Sequence, residues 1–235
     1  SLINHSQNSK IDISIFNKMF FKKKITKFLL NYKFLKRLCD FTLACLLIIL
    51  FIPIFLIIAF LIKASSRGPI LFIQRRIGKN KKEFSCYKFR TMHPEADFML
   101  KEILKNNLDI KKEFESSQKI LNDPRITPIG KYLRYTSLDE IPQIFNILKG
   151  EMSFIGPRPI IKEEIVRYKN SFEKAFSVLP GMSGLWQVSG RNKLSYKRRI
   201  QLDLIYAKNI NFLLDLNIFF RTIGVILLPF DRGAA

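Results

Sequence analysis

The sequence predicts an α+β fold that is mainly helical, in which a membrane helix and interfacial amphipathic helices accompany a small β-hairpin. Three features lead to this fold class. Residues 41–62 carry no charged side chain, and residues 69–74 and 83–91 have the composition of two strands with a turn at residues 78–80 between them. Most of the chain after residue 95 spaces its apolar residues as helices do.

The overall charge is strongly positive. Forty Lys and Arg residues against 19 Asp and Glu give a net charge of +21 and a pI of about 10.0. Such a surface attracts polyanions, which include nucleic acid, an anionic membrane face and phosphate-bearing substrates. Composition alone does not choose among these three. The cysteines Cys39, Cys45 and Cys86 are odd in number and fit no zinc pattern, which favours a reducing compartment.

The chain divides into three predicted parts. Residues 1–37 form a basic amphipathic N-terminal segment, for which an anionic membrane face and an ordinary disordered tail are the two interpretations. Residues 38–63 form the membrane helix, and residues 64–235 form the remaining domain with a C-terminal interfacial helix.

The apolar run is compatible with two membrane topologies. As a straight helix, residues 41–62 would reach roughly 33 Å, about one hydrocarbon thickness. Pro53 lies in mid-run and favours a kink, and basic residues flank the run on both sides. From the residues alone, a spanning helix and a helix that bends and returns remain equally open.

The rest of the chain is predicted to alternate between helices and ordered loops. The predicted helices are residues 95–121, 137–150, 160–177, 195–209 and 212–228. The predicted loops are residues 122–130, 153–159 and 180–191, the last rich in Gly and Ser, and residues 131–136 have no predicted structure. Gly150 is the predicted C-cap of the second of these helices.

Two adjacent acids at the head of a helix are the first candidate functional residues. Asp139 and Glu140 follow Ser137, and Pro142 places the start of the helix at about residues 138–141. Helix N-termini bind anions, and a divalent cation can bridge a carboxylate and a phosphate there. The alternative is structural, because Ser137 and Glu140 have the spacing of a capping box.

Several cations could bind phosphate beside these acids. Arg158 lies between two prolines, which limits its backbone freedom and suits bidentate phosphate capture. Lys88, Arg90 and Arg134 are further candidates, and Arg191 ends the Gly-rich loop that contains Trp186. Taken singly, each could equally be a solvated surface cation. No P-loop, dinucleotide-binding or nucleophile-elbow motif is present, so those enzyme classes lose support.

Taken in order, these segments resemble the bacterial sugar transferase family, the monotopic phosphoglycosyl transferases. The resemblance covers about residue 35 to the end of the chain. The matching stretches are the apolar run with Pro53, KFRTM at 88–92, DPRITPIG at 123–130, LRYTSLDEIPQIFNILKGEMSFIGPRP at 133–159, LPGMSGLWQVSGR at 179–191 and LLDLNIFFRTIGVILL at 213–228. Where many relatives have Ser before the proline, this chain has Ile52.

The resemblance implies an enzyme that transfers a hexose-1-phosphate from a UDP-sugar to undecaprenyl phosphate and releases UMP. Asp139 would be the nucleophile that carries the phosphosugar, and Glu140 would help to hold Mg²⁺. Arg134, Arg158 and Arg191 would bind phosphates. The membrane helix would be re-entrant, with the catalytic domain on the cytoplasmic side of the bacterial inner membrane.

The form of the loop and the insertion at 95–121 look closest to relatives that transfer galactose- or glucose-1-phosphate. Such an enzyme would start the assembly of O-antigen, capsule or exopolysaccharide, and a homodimer is expected by analogy. No nucleic-acid partner is expected. A non-catalytic membrane scaffold and a membrane-tethered nucleic-acid-binding protein are the alternatives, the latter weakened by the absence of a recognisable nucleic-acid-binding motif.

Overall fold

The computed structural model describes residues 13–117, 120, 122–190 and 194–227. Over these residues the fold is mainly helical, with one long N-terminal helix and two small sheets. The helices are α1 (Ile13–Ser65), α2 (Ala96–Asn106), α3 (Leu108–Ser117), α4 (Pro128–Thr136), α5 (Gln143–Lys149), α6 (Ile165–Tyr168), α7 (Phe172–Ala175), α8 (Tyr196–Asn209) and α9 (Phe212–Leu227). The strands are β1 (Leu71–Ile77), β2 (Glu83–Phe89), β3 (Ser153–Ile155) and β4 (Gly181–Ser183).

Helix α1 is a continuous helix of 53 residues that includes Pro53. Its segment Tyr32–Ser65 contains an 18-residue window with a mean hydropathy of 3.4 and is long and apolar enough to cross a membrane, the one such helix within the described ranges. The boundary predicted between residues 37 and 38 therefore lies inside one helix, and the predicted N-terminal segment before residue 13 lies outside the described residues.

One face of α1 packs on the rest of the protein and the other does not. Ala44 and Ile62 are fully buried, and Phe55 joins two of the hydrophobic clusters that α1 forms with β2, α4 and α5. On the opposite face, large apolar side chains are 60–72% exposed. These are Leu46, Ile49, Leu50, Leu56, Ile57 and Phe60. The burial pattern is that of a helix lying along a domain, with a stripe of apolar residues turned outward.

Strands β1 and β2 form the predicted antiparallel hairpin. Leu71 pairs with Phe89 and Ile77 pairs with Glu83. The turn between them places Asn80 and Lys81 at positive φ. The first strand extends to Ile77 rather than residue 74, because residues 75–77 also pair across the hairpin.

A parallel pair of three-residue strands was not predicted. Ser153 of β3 pairs with Gly181 of β4, and Ile155 pairs with Ser183. A Cβ at residue 181 would collide with the backbone of Gly156, so the close approach of the two segments requires glycine there. Strands this short carry too little apolar alternation to be found in a sequence.

Two of the predicted helices are interrupted. The segment 95–121 forms α2 and α3 with a break at Asn107, whose backbone is extended. The segment 160–177 breaks into α6 and α7 at Lys169, which has a φ of 48°. Conversely, the start of α4 was predicted as part of a loop and the rest of α4 was not predicted, although Thr127 caps the helix and Pro128 starts it. The helices predicted at 195–209 and 212–228 are confirmed within a residue or two.

A buried polar network joins α1, α8 and α9. Tyr32 donates a hydrogen bond of 2.6 Å to one carboxylate oxygen of Asp215, and Lys36 lies 2.5 Å from the same oxygen. Tyr206 donates to the other oxygen at 2.7 Å. Because Asp215 is buried and fully engaged, it fixes the start of α9 against α1 and α8.

Candidate active site

The two acids lie in a sharp corner between α4 and α5. Helix α4 ends at Thr136, and Ser137 then takes a left-handed conformation with a φ of 60°. Leu138–Glu140 form a single 3₁₀ turn, and α5 begins at Gln143. The prediction of one helix starting at about residues 138–141 is therefore corrected to a 3₁₀ turn followed by a helix. Gly150 ends α5 at a φ of 81°, as predicted.

The capping-box interpretation of Ser137 and Glu140 is wrong. Ser137 makes no side-chain cap hydrogen bond. The carboxylate of Glu140 instead forms an ion pair of 2.6 Å with Lys88 on β2, and both side chains are mostly buried. The ion pair between Glu140 and Lys88 therefore connects the α4–α5 corner to the β1–β2 hairpin.

The two adjacent carboxyls have opposite electrostatic environments. Burial alone would raise the pKa of Glu140, but Lys88, Arg158 and Arg76 hold that pKa at about 2. Burial raises the pKa of Asp139 to about 6, and the neighbouring charge of Glu140 adds to the rise. Neighbouring acids whose pKa values are driven apart commonly have different roles in a site.

Both acids line a cleft of about 680 Å³ between the hairpin, the α4–α5 corner and the β4–α8 loop. Five basic side chains line the same cleft. These are Arg76, Lys88, Arg125, Arg134 and Arg158. Uncharged residues line the cleft as well, namely Met182, Ser183, Trp186, Gln187 and Thr222.

Neighbouring groups hold the cations in place. Arg134 donates to the hydroxyl of Thr91 at 3.0 Å, and Arg158 lies over the ring of Trp186 at 5.9 Å. Arg76 donates to Gln74 and to the carbonyl of Pro159. Arg125 forms a buried pair with Asp123 at 2.6 Å. The cleft therefore presents a fixed positive field to a phosphate-bearing molecule.

The structure brings together most, but not all, of the predicted site. Asp139, Glu140, Lys88, Arg134 and Arg158 line the cleft. Arg90 does not, because its guanidinium donates to the carbonyls of Arg67 and Ser66 at 2.7 and 2.8 Å, at the end of α1. The role of Arg90 as a phosphate ligand stays a prediction from the sequence, which these contacts do not support. Arg191 lies outside the described residues.

Arg76 and Gln187 line the cleft but were not predicted. The signal for Arg76 was available, because alternate residues of a strand share a face. Phe72, Gln74 and Arg76 alternate along β1, and Phe72 is the cross-strand partner of Lys88. For Gln187, no sequence pattern distinguishes a cleft residue from any other residue of a Gly-rich loop.

The protein offers few ligands for a metal ion. Within the residues that the structure describes, no group of three or more His, Cys, Asp or Glu side chains is close enough to hold one. The cleft provides the adjacent carboxylates of Asp139 and Glu140, and its third carboxylate, Asp123, is paired with Arg125. Mg²⁺ is commonly bound by one or two carboxylates together with phosphates of a substrate, so this donor set suits a cation that arrives with its ligand.

The chain belongs to the bacterial sugar transferase family, because the sequence model of that family matches residues 31–229. An uncharacterized sugar transferase of Haemophilus influenzae is 44% identical over 198 residues, which cover 84% of this chain and 42% of the relative. The exopolysaccharide production protein ExoY of Rhizobium meliloti is 42% identical over 199 residues, 85% of this chain and 87% of the relative.

A third relative carries a more specific name. The undecaprenyl-phosphate galactose phosphotransferase of Salmonella typhimurium is 42% identical over 195 residues, which cover 83% of this chain and 41% of the relative. The chain thus spans about two fifths of the length of the Haemophilus and Salmonella proteins, and most of the length of ExoY.

Proposed function

We propose that this protein transfers a hexose-1-phosphate from a UDP-sugar to a polyprenyl phosphate such as undecaprenyl phosphate, and so starts the assembly of a membrane-linked glycan. The observation that carries the proposal is the position of Asp139, which faces a cleft lined by five basic side chains. The names of relatives support the substrate classes. They include an undecaprenyl-phosphate galactose phosphotransferase and a glucose-1-phosphate transferase from UDP-glucose to undecaprenyl phosphate.

Asp139 acts as the nucleophile in this proposal. Its carboxylate oxygen attacks the sugar-linked phosphorus of the UDP-sugar, and the bridging P–O bond breaks to release UMP. An oxygen of the polyprenyl phosphate then attacks the same phosphorus and breaks the bond to Asp139. The product is a polyprenyl diphosphate sugar, and the carboxylate is regenerated. A pKa of about 6 leaves Asp139 mostly ionised at neutral pH, and its higher basicity favours attack.

Glu140 and the basic side chains would stabilise the charges of the reacting phosphates. Lys88 keeps Glu140 ionised, and Arg134 and Arg158 would neutralise the phosphates of donor and acceptor. Arg158 is pre-positioned over Trp186, so less entropy is lost when it binds a phosphate. Arg191 is expected to join them on grounds of sequence alone.

Mg²⁺ is the proposed metal, held by Asp139 or Glu140 together with the diphosphate of the donor. When bound, it would withdraw negative charge from the phosphates and so make the phosphorus easier to attack. The low pKa of Glu140 suits this role, since a metal ligand must be ionised.

A re-entrant α1 is the membrane topology that we infer. Arg37 donates to the carbonyls of Ile147 and Leu148 at the end of α5, and Arg90 donates to Ser66 and Arg67 just beyond α1. These contacts hold both ends of the apolar run on one body of protein. A helix that crossed the bilayer would place its ends on opposite faces. A bent helix within one leaflet keeps the basic cleft at the cytoplasmic face of the inner membrane, where both substrates can reach it.

The test is capture of the covalent intermediate. Purified protein in lipid nanodiscs is mixed with Mg²⁺ and UDP-galactose or UDP-glucose labelled in the sugar, with no acceptor present. We expect one labelled phosphosugar on the wild type and none on Asp139→Asn, and release of the label when undecaprenyl phosphate is added.

Asp97→Asn is the matched control, because Asp97 is an exposed acid of α2 that is not among the residues that line the cleft. It should label like the wild type. Normal UMP release by Asp139→Asn, or label that persists on that variant, would exclude Asp139 as the nucleophile.

A further inference from the structure

The side-chain amide of Gln187 is buried without a hydrogen-bond partner. Neither its nitrogen nor its oxygen finds one within the part of the chain that the structure describes. Most buried polar groups in folded proteins are paired, so an amide with both ends unpaired calls for a reason. Gln187 lines the large cleft that Asp139 and Glu140 also line.

The loop that carries Gln187 is held on several sides. On one side, Arg199 lies over the ring of Trp186 at 4.7 Å. On the other, Arg221 of α9 donates to the carbonyl of Val188 at 2.8 Å, and the hydroxyl of Thr222 lies 2.6 Å from that of Ser183. The backbone on both sides of Gln187 is therefore fixed, and a poorly held loop does not explain the unpaired amide.

The surroundings of the amide suggest what it binds. Gln187 lines the cleft together with the uncharged side chains of Ser183, Trp186 and Thr222, and the guanidinium groups of Arg158 and Arg199 lie over the ring of Trp186. A nucleotide sugar has a charged diphosphate between two neutral groups. An amide offers one donor and one acceptor side by side, and the end torsion of glutamine turns easily toward a ligand.

We propose that Gln187 is a specificity-determining residue that pairs with a neutral donor–acceptor edge of the nucleotide sugar. This inference rests on the proposed function. Two parts of the ligand have the required chemistry: the imide edge of uracil, with an N–H beside a carbonyl, and a pair of neighbouring sugar hydroxyls. The amide nitrogen and oxygen of Gln187, which are unpaired in the free protein, form hydrogen bonds when the nucleotide sugar binds.

An unpaired buried amide lowers the stability of the free protein. Replacing it by an apolar side chain of similar shape should therefore stabilise the fold while it weakens donor binding. A side chain with a purely structural role behaves in the opposite way, because its removal destabilises. The proposal therefore predicts a more stable protein that binds the donor more weakly, whereas a purely structural role predicts a less stable protein.

The experiment compares wild type, Gln187→Met and Gln201→Met, all as the full chain in nanodiscs. Gln201 is an exposed glutamine of α8 and serves as the matched control. Binding of UMP and of a UDP-hexose is measured by titration calorimetry, which needs no turnover. The KM for the UDP-hexose, followed by UMP release, and the thermal unfolding midpoint are measured in parallel.

For Gln187→Met, we expect UDP-hexose affinity to fall roughly tenfold, KM to rise by the same factor, and the unfolding midpoint to rise by roughly 2–4 °C. An equal loss of UMP affinity assigns the amide to uracil, and an unchanged UMP affinity assigns it to the sugar. Unchanged affinity for both ligands, or a lowered midpoint, would overturn the proposal. Binding without UMP release by the wild type would remove the proposed function alone.

Discussion

Lys88 is the residue on which the charge of Glu140 depends most directly. Lys88→Met would leave a mostly buried carboxylate without its partner at 2.6 Å. Truncating one member of such a pair costs roughly 2–5 kcal/mol, so UMP release should fall by about 30-fold or more. Steady-state UMP release from a UDP-sugar measures this.

Lys81→Met is the control for that substitution. Lys81 pairs with Glu173 at the surface, where both side chains are largely exposed. Exposed pairs contribute little, so activity should stay within about twofold of the wild type. Equal losses in the two variants would show that the Lys88–Glu140 pair has no special role.

Asp203 predicts a pH dependence of stability. It accepts a hydrogen bond from Tyr168 at 2.7 Å, and burial raises its pKa to about 7 against partly opposing contributions from Tyr168, Arg158 and Arg199. Between pH of about 4 and 7 the folded state holds a proton that the unfolded state has lost. The free energy of unfolding therefore decreases as pH rises through that window.

Asp203→Asn removes this titration and keeps an acceptor for Tyr168. The variant should unfold at a temperature that varies less between pH 4 and 7, with the largest gain over wild type, up to a few kcal/mol, near pH 7. Thermal unfolding across this pH range measures the effect. Parallel curves for the two proteins would contradict the raised pKa of Asp203.

At the scale of elements, Arg90 acts on the end of α1. Arg90→Met would remove the donor to the carbonyls of Ser66 and Arg67, and we expect a loss of roughly 1–3 kcal/mol in stability. The KM for the UDP-sugar should not change, because Arg90 does not line the cleft. Arg75, exposed on β1, gives the control Arg75→Met. A raised KM with unchanged stability would instead return Arg90 to the phosphate site.

The two ends of the apolar run of α1 should be accessible from one side of the membrane. In a Cys39→Ser, Cys45→Ser background, Lys33→Cys and Ser65→Cys place single exposed thiols before and after the run, with Cys86 buried. A membrane-impermeant maleimide should label both in inverted vesicles and neither in intact cells. Labelling of the two thiols from opposite sides would establish a spanning helix.

The long elements were predictable, and the corner that carries the acids was not. The apolar run, the hairpin and α8 and α9 each repeat their pattern over many residues. At Ser137–Glu140, four residues satisfy the spacing of a capping box, yet Lys88 from a distant strand attracts the carboxylate more strongly than the local backbone does. Sequence spacing does not reveal that tertiary contact. For the same reason, the sequence did not predict that Arg90 donates to the carbonyl of Arg67.

For the whole molecule, the distribution of apolar surface predicts firm membrane attachment. Large apolar side chains are exposed on α1, such as Ile49 at 69%, and on α9, such as Leu213 at 74%. Attachment through such surfaces does not depend on charge screening. Membranes washed with molar salt should therefore keep the protein, and detergent should release it, as followed by immunoblot. Release by salt alone would mean that the basic surface provides the attachment.

The contacts of Arg221 and Thr222 connect the β4–α8 loop, and with it the cleft, to helix α9, which has an exposed apolar face. The neighbouring residue of α9, Phe220, is 61% exposed on the surface of the protein. A shift of α9 along its axis by a single turn would pull both side chains away from the loop. Bilayer thickness and the choice of solubilising detergent should therefore alter the affinity of the protein for a nucleotide sugar.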